Sequence, residues 1–138
     1  MRWLFVILFA ASCGVDRAHV LIGSHHIGYD GPIGEENFGV LLSKGNLSLG
    51  VYQNSYGDTS IAALTSSELL EVNGFGLHIF GGVAHYPNFT WGDESYSGII
   101  PLAGIEARYE TLFVQFLPAF SEDMNGLISF GLTFPIGD

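Results

Sequence analysis

Leu127-Ile128-Ser129-Phe130-Gly131-Leu132-Thr133-Phe134 decides the fold class of this chain. Successive side chains alternate across an extended strand, so Ile128, Phe130, Leu132 and Phe134 share one face. Ser129, Gly131 and Thr133 share the other. Large apolar residues therefore oppose small or polar ones. A membrane barrel needs that arrangement, with an apolar wall toward lipid and a narrow, filled interior. A soluble barrel more often turns its large residues inward. The stretch before it does not choose. Leu112, Val114 and Phe116 alternate with Phe113, Gln115 and Leu117, and both faces carry large apolar side chains.

Working backward from residue 127, the same alternation predicts eight strands: 19–29, 38–44, 47–54, 59–65, 74–86, 102–109, 111–118 and 127–134. Lys44-Gly45-Asn46 reads as a tight hairpin turn between the second and third. Arg108-Tyr109-Glu110-Thr111 contains another, and 66–73 reads as a longer link holding a helical turn. No repeat or low-complexity segment interrupts the series. The expected fold is all-β, an eight-stranded antiparallel up-and-down membrane β-barrel. A closed barrel is the only sheet that can cross hydrocarbon, because every backbone group must pair internally there.

With 138 residues the chain is bounded to one domain. Arg2 followed by the apolar run Trp3–Ala11 reads as a signal peptide, too short to span a bilayer as a helix. Two cleavage readings stand side by side. One cut falls after Ala18, giving a signal peptide over 1–18 and a barrel domain over 19–138. The other treats Ala10-Ala11-Ser12-Cys13 as a lipoprotein site with Cys13 as the lipidated first residue. Cys13 is the sole cysteine, so no internal disulfide or cysteine-based zinc site can form. Past Ala18, only Lys44 and Arg108 remain basic, against thirteen acidic residues. That balance argues against nucleic acid, whose phosphates need Lys and Arg. No cofactor or metal is implied, and the chain is expected to act as a monomer.

In an up-and-down barrel, alternate connections share an end. Segments 30–37, 55–58, 87–101 and 119–126 fall at the end away from the termini. In outer-membrane barrels that end carries the longer loops and faces outside. Eight acids lie there: Asp30, Glu35, Glu36, Asp58, Asp93, Glu94, Glu122 and Asp123. Aromatics including Phe38, Tyr86, Trp91 and Phe120 form an expected girdle around them. Surface carboxylates at this level suit hard divalent cations bridging lipopolysaccharide phosphates.

His25-His26 closes the first strand, and Asn54-Ser55 closes the third, both at the loop end. A serine hydroxyl is a weak nucleophile until a base takes its proton, and histidine has a suitable pKa for that work. Asn54 could orient the imidazole or donate to a developing oxyanion. Spacing alone leaves an ordinary turn beside Gly57 as the competing reading.

Several segments resemble one family. These are Phe75-Gly76-Leu77-His78-Ile79-Phe80-Gly81-Gly82-Val83-Ala84, Ile100-Pro101-Leu102-Ala103-Gly104-Ile105 and Phe116-Leu117-Pro118, with His26–Asp30 and Tyr52–Tyr56 upstream. Together they resemble the outer-membrane lipid A palmitoyltransferases over most of residues 22–134, at low identity. The resemblance implies an eight-stranded barrel that moves an acyl chain from a phospholipid to lipid A. It matches Ser55 to the family serine, Tyr56 to its neighbouring aromatic and His26 to the family histidine, with His25 one step away. The family aspartate is Asn54 here, and Ser66 or a neighbour replaces the glycine that floors the acyl pocket. Pro101 and Pro118 match prolines that interrupt the wall, where lipid is thought to enter sideways, since proline has no N–H to give. Glu106 and Arg108, two apart, share a face and are expected to pair inside the barrel near the termini. His78 and His85 fall on opposite faces of one strand and cannot bind a metal together from it.

Overall fold

Alternation of apolar and small residues produces eight strands that hydrogen-bond in chain order and close on themselves. The computed structural model describes residues 14–28, 35–54, 57–87, 98–118 and 125–136. The strands are β1 (Arg17–Ile27), β2 (Gly39–Lys44), β3 (Leu47–Gln53), β4 (Thr59–Val72), β5 (Phe75–His85), β6 (Ile99–Tyr109), β7 (Leu112–Pro118) and β8 (Gly126–Pro135). Every neighbouring pair is antiparallel, and β8 returns to β1 through ten residue pairs, from Arg17↔Pro135 to Ile27↔Gly126. Tight turns and both strand termini mark one end of the barrel, here the turn end. The opposite end is the loop end.

The expected closed, eight-stranded antiparallel barrel and its β2–β3 turn stand. The expected link at 66–73 is corrected. Residues 66–73 hold no helical turn: β4 runs on to Val72 and pairs with β5 down to Val72↔Phe75. The hairpin closes at Asn73-Gly74, both at positive φ (50° and 82°). Leu69 sits in a bulge between Glu68 and Leu70. A bulge adds one residue and breaks the period of two, so the alternation that marks a strand disappears locally.

β1 begins at Arg17, which pairs with Ser43 on β2 and Pro135 on β8. Asp16 is tied in as well. Its N–H donates to the Ser43 carbonyl at 2.8 Å, and its carboxylate accepts from the Gly45 N–H at 2.5 Å. A cut after Ala18 would remove these closures. Were the chain exported and processed, intact-mass measurement would be expected to place its N-terminus at or before Asp16. An N-terminus at His19 would count against this.

The two faces of the wall differ sharply. Leu49, Val51, Ile61, Ile79, Val83, Ile105, Val114 and Phe130 are exposed on the outside. His19, Ser24, His26, Ser43, Ser48, Ser60, Glu106, Ser129 and Thr133 are buried on the inside. Between the polar ends of the interior lies an apolar waist of Leu21, Ala62, Leu64, Phe80 and Phe113. Gly131 makes room for it, since a Cβ there would stand 2.8 Å from the Phe113 ring. β8 follows the predicted division, with Ser129, Gly131 and Thr133 buried and Phe130 and Phe134 exposed. No helix of the described residues is long and apolar enough to cross a membrane, which says nothing of strands.

Candidate active site

β1 and β3 both run toward the loop end. β2, between them, stops laddering at Leu21↔Gly39 and Gly39↔Tyr52. His26 and Asn54 therefore both stand beyond the end of the β2 ladder, at one mouth.

A bulge decides which histidine faces inward. The β1–β8 register slips between Leu21 and Gly23, leaving Ile22 as an extra residue. His19 and Leu21 face the interior before the slip, Ser24 and His26 after it. His26 is buried at 8% exposure. His25 turns outward, where its Nδ1 meets Glu35 Oε1 at 2.9 Å. The Glu35 carbonyl also accepts from the Ser24 N–H at 2.9 Å, so one loop residue fixes the backbone and the outward histidine together. Gly28 ends the strand at φ +76°, a conformation that suits glycine.

Asn54 is buried at 3% exposure and ties its loop shut. Its Nδ2 donates to Ser60 Oγ at 2.9 Å, and its Oδ1 accepts from the Asp58 N–H at 3.1 Å. Its backbone N–H donates to the Asp58 carbonyl at 2.8 Å, and its own carbonyl accepts from Gly57 at 3.0 Å. An amide serves both side-chain contacts, as donor to a hydroxyl and acceptor from a backbone N–H. Asn54 thus holds Gly57, Asp58 and Ser60 together. Ser55 and Tyr56 lie outside the described residues.

Below this mouth, Tyr52 and Tyr86 face each other inside the barrel, their hydroxyls 3.1 Å apart and their rings edge-to-face. The girdle expectation is corrected for Tyr86, which turns inward to Tyr52, whereas Phe38 is exposed as expected. The sequence reading missed Tyr52 and Ser60. The signal for both was the parity of their strands relative to Asn54.

Pro101 and Pro118 are exposed and flank a seam. β6 pairs with β5 over its whole length, from Ile99 to Tyr109. It pairs with β7 only from Ile105↔Phe116 to Tyr109↔Leu112. Among the described residues, Ile100–Gly104 have no ladder partner on the β7 side. Pro101 is opposite Val83 on β5, and Pro118 is opposite Gly126 on β8.

At the turn end, Glu106 is buried at 4% exposure and holds the Arg108 guanidinium and the Gln115 amide, the latter at 2.5 Å. Ile105 and Tyr109 point outward, as expected of that face. His78 lines the lumen and His85 is exposed, on opposite faces as predicted. Among the described residues no cluster of His, Cys, Asp or Glu is arranged to hold a metal. No protein-family model matches the chain, and no curated protein sequence matches it.

Proposed function

We propose that this chain is a bacterial outer-membrane barrel that transfers or hydrolyses an acyl chain of a membrane phospholipid at its loop end. The inward turn of His26, at the mouth that carries Asn54 and Gly57, is the observation that supports the reaction. The apolar outer face supports the location, because soluble monomers rarely expose a continuous apolar belt.

In the proposed reaction, His26 takes the hydroxyl proton of Ser55 as that oxygen adds to the phospholipid ester carbonyl. Collapse breaks the ester bond, and the departing lysophospholipid oxygen takes the proton back from His26. The acyl group on Ser55 then passes to a hydroxyl of lipid A, or to water, by the same proton exchange in reverse. Asn54 acts as a positioning residue, through the loop it holds. The seam flanked by Pro101 and Pro118 supplies side access for lipid, and Tyr56 is assigned to substrate binding on the resemblance.

A second reading keeps the barrel as a lipid-binding envelope protein without a reaction. The commitment of the Asn54 amide to Asp58 and Ser60 favours it.

The test is acyl transfer from labelled phospholipid to lipid A in detergent. Ser55→Ala is expected to fall to background, and His26→Gln to lose about 10²–10⁴-fold, the usual contribution of a general base. Background transfer to lipid A and background fatty-acid release, by the unmodified protein and Ser55→Ala alike, would sink the enzyme reading and leave the binding one.

A further inference from the structure

At the turn end, the hairpin of β4 and β5 outruns the strand beside it. β3 begins at Leu47, opposite Thr65 on β4. The next tie is the Ser66 N–H, which donates to the Asn46 carbonyl at 2.9 Å. β4 then continues through Val72, laddered to β5. Among the described residues, Ser67–Val72 have no ladder partner on the β3 side. Every one of them is exposed. The edge is about 20 Å long at the rise of an extended strand. An open edge presents a row of backbone N–H and C=O groups, a template for another strand.

The bulge at Leu69 gives this edge two chemically distinct faces. Residues paired across two strands share a face. Glu68 pairs with His78, which lines the lumen, and Glu71 pairs with Gly76, two residues from His78 and so on the same face. Leu70 pairs with Leu77 and Val72 with Phe75, on the outer face. On a regular strand, two carboxylates three residues apart would point to opposite faces. The extra residue Leu69 brings Glu68 and Glu71 together. Among the described residues, exposed charge at this end is mostly acidic, with Asp16, Glu68, Glu71 and Glu110 against Lys44.

A second copy of the same edge is a poor fit. Two such edges paired antiparallel about Leu69-Leu70 set Glu68 against Glu71 twice, and like charges directly opposite are destabilising. A strand that is basic on one face and apolar on the other meets both requirements. Its cations reach Glu68 and Glu71, and its apolar side chains extend the outer wall beside Leu70 and Val72. We propose that the β4 edge docks an extended, basic segment of a partner protein, which adds to the barrel as one further strand. Main-chain hydrogen bonds supply the attachment, and alternate side chains supply the choice of partner. The site uses none of His26, Asn54 or Ser55, so it stands or falls apart from the acyl-transfer reading.

The probe is the capped peptide Lys-Val-Lys-Val-Lys-Val-Lys, added to the ¹⁵N-labelled full chain refolded in an uncharged maltoside detergent. The readout is residue-resolved amide exchange by NMR. The peptide is expected to slow exchange within Ser67–Val72 and to leave the loop-end amides of Asn54 and Asp58 unchanged. The same peptide with glutamate for lysine should bind at least about tenfold more weakly, because two cross-strand charge pairs change sign. The lysine peptide with every amide N-methylated keeps its charge but cannot pair, and should give no protection. Glu68→Lys combined with Glu71→Lys should reverse the preference between the two charged peptides. Equal binding of those peptides by the unmodified chain, or protection by the N-methylated one, would overturn the proposal. So would an edge already protected before any peptide is added, which would assign it to a second copy or to detergent and lipid. The peptide comparisons need only the unmodified chain, so they decide even if the variant fails to fold.

Discussion

Val114→Arg is expected to lower the stability of the barrel in lipid by about 2–4 kcal/mol, the cost of a cation near the middle of a lipid-facing strand. Val114 lies centrally in β7, outward and half exposed, opposite Phe130 on β8 and Ala107 on β6. If the outer face meets water instead, the same substitution replaces one exposed side chain by another and costs within about 0.5 kcal/mol. The variant therefore separates a membrane barrel from a soluble one. A second position sharpens the contrast. Tyr109 is equally outward but is the last residue of β6, beside the turn. Tyr109→Arg should cost no more than about 1 kcal/mol, because the penalty falls toward the interface. Urea unfolding of both variants in phospholipid vesicles gives the two numbers. Equal, small losses at both sites would remove the membrane assignment.

Much of this barrel was legible because its strands alternate plainly. β8 declared its inner and outer faces through Ser129, Gly131 and Thr133. What escaped the reading sits at bulges. The extra residue Ile22 reverses the parity of β1, so no count along the strand could choose between His25 and His26. Leu69 does the same to β4 and made the end of a strand resemble a link. Long-range partners were hidden for a different reason. The Asn54–Ser60 contact depends on how a loop folds back, and the Arg17–Thr133 contact joins residues at opposite ends of the chain. Arg17 was further obscured by its place beside a signal-like segment, which drew attention away from its strand. The Glu106–Arg108 pair was read correctly because both partners lie two apart on one strand, where geometry is local.

That pair also carries the largest expected loss. Glu106→Ala is expected to cost about 3–5 kcal/mol, the usual result of stripping one partner from a buried ion pair. The reason lies in what remains rather than in what is lost. Without the Glu106 carboxylate, Arg108 loses its ion-pair partner while still feeling the charge of Arg17, and the Gln115 amide loses its acceptor. Glu106→Gln should fall between, because a neutral amide still accepts a hydrogen bond but offsets no charge. The double variant Glu106→Ala with Arg108→Ala should recover most of the loss, since removing both members of a buried pair leaves no stranded charge. Chemical unfolding of the unmodified chain, Glu106→Ala, Arg108→Ala and the double variant under one set of conditions forms a double-mutant cycle, which isolates the coupling between the two groups. If the double variant were as unstable as the sum of the singles, the pair would be a pair of independent packing groups. Recovery would instead identify electrostatic closure of the turn end as what Glu106 contributes to the barrel.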